Sequence, residues 1–361
     1  MVTCTFIVTF GTKHTPRIAE INVIEFQTDA PSPIGILLTN LGTPAAPTPG
    51  AVREYLAEFL WDKRVVDAPR LLWWPILHGI VLRTRPGKSA QLYRNIWTEE
   101  GSPLLVISRR QVSALQAMLD EQCSVPVRVA FGMRYGEPSL QEALRQLRAD
   151  NVQRLLVLPL YPQYSAATTA STFDRIAEEL KTWRWLPALR FINGYHDDNG
   201  YIDALCQSIR RAWTKRKPPE RLLFSFHGLP KRHAESGDPY HRECLITASR
   251  VAERLGIADE NRMVSFQSRV GREEWLTPHT DQLLQEWGSA GIKSIDVICP
   301  GFSTDCLETL EEIAMRGRDI FLGAGGEVFH YISCLNDHPE HIDALAGLVR
   351  SHAGDWLGEG K

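Results

Sequence analysis

Eight short apolar runs rich in β-branched residues recur along this chain, at 34–40, 126–131, 154–160, 188–193, 221–226, 262–267, 294–299 and 327–331. Stretches with helical spacing separate them, at 49–59, 103–122, 138–149, 168–182, 198–214, 240–255, 274–290, 306–315 and 339–353. Strand–helix alternation of this kind feeds parallel sheets covered by helices, so the expected class is α/β. Two groups of four strands predict two similar lobes, each a four-stranded parallel sheet flanked by helices, with a cleft between them. The expected boundaries are 34–192 for the first lobe and 193–334 for the second, with 335–357 packing back on the first. Residues 1–33 end in Asp29-Ala30-Pro31-Ser32-Pro33 and read as an appendage that is poorly ordered or comes from an upstream start codon.

With 361 residues, net charge −3 and 23% charged residues, the chain has ample core and no basic footprint for nucleic acid. Its seven cysteines are scattered and odd in number, which suits reduced thiols in a cytoplasm. No C-x-x-C pair supports a structural zinc or iron–sulfur site. The N-terminus has no basic residue ahead of its mildly apolar start and no small-residue cleavage site, so no signal peptide is expected. The longest apolar stretch, 71–82, is interrupted by Pro75 and Gly79. It is too short to span a membrane. It reads equally as a buried helix or as an exposed lip that touches a membrane or a flat, greasy substrate.

In open α/β sheets ligands bind beyond the carboxyl ends of the strands. Several conspicuous loops stand there. One runs Cys299-Pro300-Gly301-Phe302-Ser303-Thr304-Asp305-Cys306-Leu307-Glu308-Thr309-Leu310-Glu311-Glu312-Ile313, after the seventh run. Asp305 reads as an N-cap with Glu308 three positions on. Asp305, Glu308 and Glu312 are then expected on one helical face, with Leu307, Leu310 and Ile313 on another. Helix capping alone accounts for some of these acids. His227 ends the fifth run and precedes Gly228, which is expected to free the backbone and leave room over the ring. Its imidazole suits proton transfer or metal ligation, with a satisfied core histidine as the plain alternative. His233 and His241 are expected on a solvated loop, and His196-Asp197-Asp198 at a helix start. Pro86-Gly87-Lys88-Ser89 lacks the first P-loop glycine, since Leu82 stands there. Gly323-Ala324-Gly325-Gly326 reads as a turn.

Over residues 34–355 the chain resembles the ferrochelatases, in the form found in Gram-negative bacteria. The resemblance rests on Asn40-Leu41-Gly42-Thr43-Pro44, Pro159-Leu160-Tyr161-Pro162-Gln163-Tyr164-Ser165, Ser225-Phe226-His227-Gly228-Leu229-Pro230, Gly237-Asp238-Pro239-Tyr240, Phe266-Gln267-Ser268-Arg269-Val270-Gly271 and the acidic segment. It implies the chelatase fold of two Rossmann-like lobes. It also implies insertion of ferrous iron into protoporphyrin IX, with release of two protons. By motif position it makes His227, Glu308 and Glu312 catalytic. His227 and Glu308 would meet the metal. Leu41, Arg134, Tyr135, Tyr164, Trp275 and Phe302 match pocket positions.

Some relatives carry a 2Fe-2S cluster on a cysteine-rich tail and an internal cysteine. Here Ala166 follows Ser165 and no cysteine follows Cys334, so no cluster and no resident cofactor are expected. The expected location is the cytoplasm, with a peripheral place at the inner membrane through 71–82 as a further expectation. Two rivals are a chelatase for cobalt or nickel acting on a more carboxylated tetrapyrrole, and a non-catalytic two-lobed binding protein. Glu311, off the acidic face, is expected to tolerate loss.

Overall fold

The computed structural model describes residues 32–358 except 215 and 272. The expected appendage therefore lies almost wholly outside the described residues. The chain runs β1 (Ile34–Gly42), α1 (Pro49–Trp61), α2 (Arg70–Ile76), α3 (Leu82–Ile96), α4 (Pro103–Gln122), β2 (Val127–Tyr135), α5 (Leu140–Ala149), β3 (Arg154–Pro159), α6 (Ser171–Leu180) and β4 (Ala188–Phe191). It continues with α7 (Asn199–Thr214), β5 (Arg221–His227), α8 (Lys231–Glu235), α9 (Tyr240–Leu255), β6 (Arg262–Gln267), α10 (Thr280–Ser289), β7 (Ser294–Ile298), α11 (Arg318–Gly323), β8 (Val328–Ile332) and α12 (Pro339–Leu357).

The strands form two parallel four-stranded sheets with the same order, β2-β1-β3-β4 and β6-β5-β7-β8. In each sheet the chain reverses its lateral direction beside the first strand, β1 in one and β5 in the other. The crevice for a ligand opens at such a point. The middle strands are buried on both faces: Ile36, Leu37, Leu38, Leu223, Phe224 and Val297 are all fully buried. One apolar core passes from the first sheet through α7 and α12 to Phe224 and Phe226 on β5. Helix α12 packs on α4, α7 and β3.

All eight expected strands form. Helix 274–290 is shorter than expected: residues before Thr280 are not helical, and Trp275 and His279 bridge to Pro230 and Phe266. Pro278 disfavours helical backbone in the residue before it, which delays the start. The largest unanticipated element is α3, hidden by Pro86 and Gly87 inside it. It continues α2 through one π-helical turn, 77–81. Leu77 is fully buried there, whereas Leu71 is 92% exposed and Leu72, Trp74, Ile76 and Ile80 are also exposed. Region 71–82 is thus an exposed apolar lip rather than a buried helix. Among the described residues no helix is long and apolar enough to cross a membrane.

Candidate active site

His227 is the last residue of β5, and the acidic segment leaves β7, the neighbouring strand. The two therefore flank the crevice of the second sheet. The His227 ring lies 6.4 Å from the Phe302 ring. Its Nδ1 is 2.7 Å from the carbonyl oxygen of Gly228. A carbonyl only accepts, so Nδ1 carries the hydrogen, and in the neutral ring the lone pair is on Nε2. Gly228 is required by crowding rather than by backbone freedom. A Cβ there would stand 2.6 Å from the Gln267 carbonyl oxygen and 3.0 Å from the Trp275 ring.

The acidic segment departs from its expected geometry. Residues Glu308–Gly317 are wound as a π-helix with i→i+5 hydrogen bonds. Glu308 and Glu312, four apart on this wide turn, still share a side. Asp305 precedes the helix and neither caps it nor joins that row. Its carboxylate is buried and accepts from Tyr331 Oη (2.6 Å), Asn336 Nδ2 (2.7 Å) and Thr309 Oγ1 (3.0 Å). It is an anchor. The apolar positions also divide. Leu307 and Leu310 pack on Val52, Ala90 and Tyr93 of α1 and α3, while Ile313 enters the core of the second sheet. Three residues on a π-helix sweep a smaller angle than on an α-helix, so they do not fall into one stripe.

Glu308 is partly exposed and faces α1 and α3. Burial first, and then the Glu308 charge, lift the Tyr93 hydroxyl well above its ordinary range. Burial, Tyr93 and Glu308 do the same to Tyr55. Neither tyrosine was visible as a site residue in the sequence, because both belong to the amphipathic pattern of their helices. Glu312 accepts from Ser268 N–H (2.8 Å) and Ser268 Oγ–H (2.5 Å), and Arg316 stands 3.7 Å away. Ser268 has φ +64°, a left-handed conformation uncommon for a non-glycine residue. Both of its donors reach Glu312 from that conformation. Glu311, expected to tolerate loss, is buried at 8% exposed and lies 3.6 Å from Arg316. Burial raises its carboxyl above the usual range, against the pull of Arg316.

The other expected pocket residues divide. Leu41, Tyr164, Trp275 and Phe302 each keep accessible surface at strand ends or in the loops beyond them. Tyr135 is fully buried, so it offers a ligand no surface. Its hydroxyl donates to Asp62 (2.9 Å), and Arg134 pairs with Asp62 as well as with the carbonyl and hydroxyl of Ser171. Burial works to raise the Asp62 carboxyl. Hydrogen bonds from Ser171 and the Arg64 N–H, with the Arg134 charge, outweigh it and hold the group below the usual carboxylate range. Tyr135 and most of the Arg134 guanidinium therefore brace α1 against α6. The Trp275 indole N–H bonds Val270 O (3.0 Å), and its ring also borders a surface hollow of about 400 Å³ with Lys231, His241 and Glu274.

The loops around the crevice are tied together. Asp238 accepts from Ala166 N–H (2.7 Å) and Ser165 Oγ–H (3.1 Å), and Glu243 accepts from Tyr164 N–H (2.7 Å). The Gly237–Tyr240 motif is thus a clamp on the Gln163-Tyr164-Ser165 loop. His233 and His241 lie on α8 and α9, not on a loop, and the His241 ring packs 5.5 Å from Phe266. Asp198 accepts from Tyr201 N–H at the start of α7, as a helix-start acid should. Across the lobes, Asn40 Nδ2 donates to Thr304 Oγ1 (3.2 Å), Ser303 Oγ donates to Leu160 O (2.9 Å) and Gln111 Nε2 donates to Ser303 O (3.1 Å). Among the described residues no three His, Cys, Asp or Glu side chains converge to hold a metal ion.

Comparison with known proteins agrees with this arrangement. The family model described as Ferrochelatase matches residues 33–353. The ferrochelatase of Nitrosococcus oceani is 55% identical over 332 residues, covering 92% of this chain and 90% of its own. That of Thioalkalivibrio sulfidiphilus is 53% identical with the same coverage. Among solved structures, SirB from Bacillus subtilis with Fe3+ covers 90% of this chain and 98% of its own at a TM-score of 0.56 and 12% identity, a likeness of fold alone. By the family model and these relatives, the chain belongs to the ferrochelatase family.

Proposed function

We propose that the crevice between the lobes inserts ferrous iron into protoporphyrin IX, forming protohaem and releasing two protons. The observation that carries the assignment of roles is the His227 tautomer. With Nδ1–H spent on the Gly228 carbonyl, Nε2 is a base or ligand presented at the end of β5. A planar porphyrin shields its two N–H protons from a metal, so the ring must bend. Bending it costs about 1–5 kcal/mol, which contacts along the walls of the crevice offset. Phe302, Leu41, Tyr164 and Trp275 supply such surface in this reading. Nε2 of His227 takes a pyrrole proton or steadies the iron, and Glu308 completes the pair. Glu312, held by Ser268, extends the acidic row for protons or arriving iron. His227 and Glu308 are too few to hold iron alone, which suits a metal in transit whose remaining ligands are the porphyrin nitrogens.

No resident cluster takes part in this reading. Burial lifts the thiols of Cys244, Cys299, Cys306 and Cys334 well above the usual range, and that of Cys206 to about 11. The reading also puts the chain in the cytoplasm, with the exposed lip Leu71, Leu72, Trp74, Ile76 and Ile80 resting on the inner membrane.

The test is metal insertion followed by loss of porphyrin fluorescence, with ferrous iron or zinc. His227→Ala and Glu308→Gln should each lower turnover by about 10²–10⁴-fold, the range for a positioned acid or base. Porphyrin affinity should change far less. Wild-type turnover in both variants would overturn the assignment.

A further inference from the structure

The motif Phe266-Gln267-Ser268 ends β6, and nothing in the proposed chemistry uses Gln267. Yet it is the residue through which β5, β6 and the acidic helix meet. Its main-chain carbonyl accepts from Gly228 N–H (2.7 Å), next to His227. Its side-chain Nε2 donates to the main-chain carbonyl of Glu308 (2.8 Å). Its Oε1 accepts from Ser225 Oγ–H (2.7 Å), two residues before His227, and from the Cys299 thiol (3.6 Å) on the segment leading to Glu308. The side chain is 3% exposed.

The amide orientation follows from its partners. A carbonyl accepts only, so the end facing Glu308 O must be NH₂ and the end facing Ser225 must be oxygen. That choice directs the hydroxyls behind it. Ser225 gives its proton to Gln267, so it accepts from Thr280 (2.9 Å), and Thr280 in turn accepts from Ser265 (2.8 Å). All three hydroxyls are at most 2% exposed. The result is one directed hydrogen-bond chain, Ser265 to Thr280 to Ser225 to Gln267 to Glu308, in a buried setting where every member is satisfied. Such a network is stiff, because any displaced member leaves a buried polar atom unpaired.

We propose that Gln267 is the positioning residue that sets the spacing between His227 and Glu308. It grips the backbone on both sides of the crevice with a single side chain and a single peptide group. It touches neither porphyrin nor iron. The proposal rests on the reading of His227 and Glu308 as the reacting pair.

Two near-isosteric variants test it. Gln267→Met keeps the length and removes the side-chain hydrogen bonds to Glu308, Ser225 and Cys299. Gln267→Glu keeps the acceptor toward Ser225 and removes the donor toward Glu308. Each is assayed by zinc insertion, porphyrin binding and thermal unfolding, alone and combined with Glu308→Gln. In both variants kcat is expected to fall about 10–100-fold, the scale for a misplacement of an ångström or less, with the porphyrin KM within about threefold of wild type. Combined with Glu308→Gln, the Gln267 change should add little, because the spacing no longer matters once one partner is gone. Wild-type kcat in both variants would overturn the proposal. So would parallel losses of kcat, porphyrin affinity and Tm, which mark a merely structural residue. So would full additivity with Glu308→Gln. Wild-type turnover in Glu308→Gln alone would instead remove the reading beneath it, and that outcome is scored before the Gln267 variants are compared.

Discussion

His341, on the first turn of α12, should make the protein lose stability in mild acid. Its ring is fully buried, and its Nδ1–H donates to Asn336 O at 2.7 Å. Asn336 holds Asp305 through two further hydrogen bonds, so the ring supports the anchor of the acidic segment. Nε2 has no protein partner. A proton placed there would be a buried charge without an acceptor. Burial chiefly, and the neighbouring His338 charge, push His341 down from 6.5 to about 4, against the Asn336 bond. The sign follows from proton counts. Below pH 6.5 the unfolded chain takes a proton that the folded chain refuses until about pH 4. The unfolded state then binds more protons, so stability falls as pH falls. The contribution is complete above pH 6.5. It is lost as pH drops through the folded value, to a total of about 3 kcal/mol.

Between pH 7 and pH 5 the loss is about 2 kcal/mol. His341→Gln keeps a donor for the Asn336 carbonyl and cannot titrate. Urea unfolding of both proteins at the two pH values is the assay. Every carboxylate common to both cancels in the comparison, and the variant should lose about 2 kcal/mol less than wild type over that span. Equal losses within about 0.5 kcal/mol would refute the buried neutral imidazole, whatever the absolute stabilities.

Two further outcomes follow. Gly228→Ala drives a methyl into the Gln267 carbonyl and the Trp275 ring. It should cost about 1–3 kcal/mol of stability and lower metal insertion; unchanged Tm and turnover would show the crowding to be relieved elsewhere. Replacing Leu71 and Trp74 together by Ser should weaken binding to anionic phospholipid vesicles on the order of 100-fold, from the lost burial of two large apolar groups. Turnover on detergent-dispersed porphyrin should hold. A raised porphyrin KM with vesicle binding unchanged would make the lip a substrate surface instead.

The strands were legible because a central parallel strand is written as a bare apolar run, and both sheets place theirs between helices. The candidate site was legible where one residue breaks a pattern, as His227 does at the end of Leu222–Phe226. The acidic helix was legible in position but not in winding. Capping and 3.6-residue spacing describe an α-helix, and nothing local in Glu308–Gly317 announces the wider turn. Asp305 was misread for the same reason: an acid before a helix looks like a cap, and only the fold brings Tyr331 and Asn336 to it. Tyr135 was misplaced because a motif position says that a residue sits near a pocket, not which way it points. Gln267 and Ser268 stood in a quoted motif without a role, since the acidic residues they hold, Glu308 and Glu312, lie more than forty positions away along the chain.

The ties from Ser303 and Thr304 to Leu160, Asn40 and Gln111 have a mechanical consequence. The segment that carries Glu308 is stitched to the backbone and side chains of the opposite half. The halves therefore cannot swing like a clamshell without dragging the acidic helix off its moorings. A flat substrate must be admitted by movement at the rim, where α2 carries the exposed lip and no buried residue, while the floor stays rigid. Speed of loading and accuracy of chemistry are then set by different parts of the molecule, and each can be altered without the other.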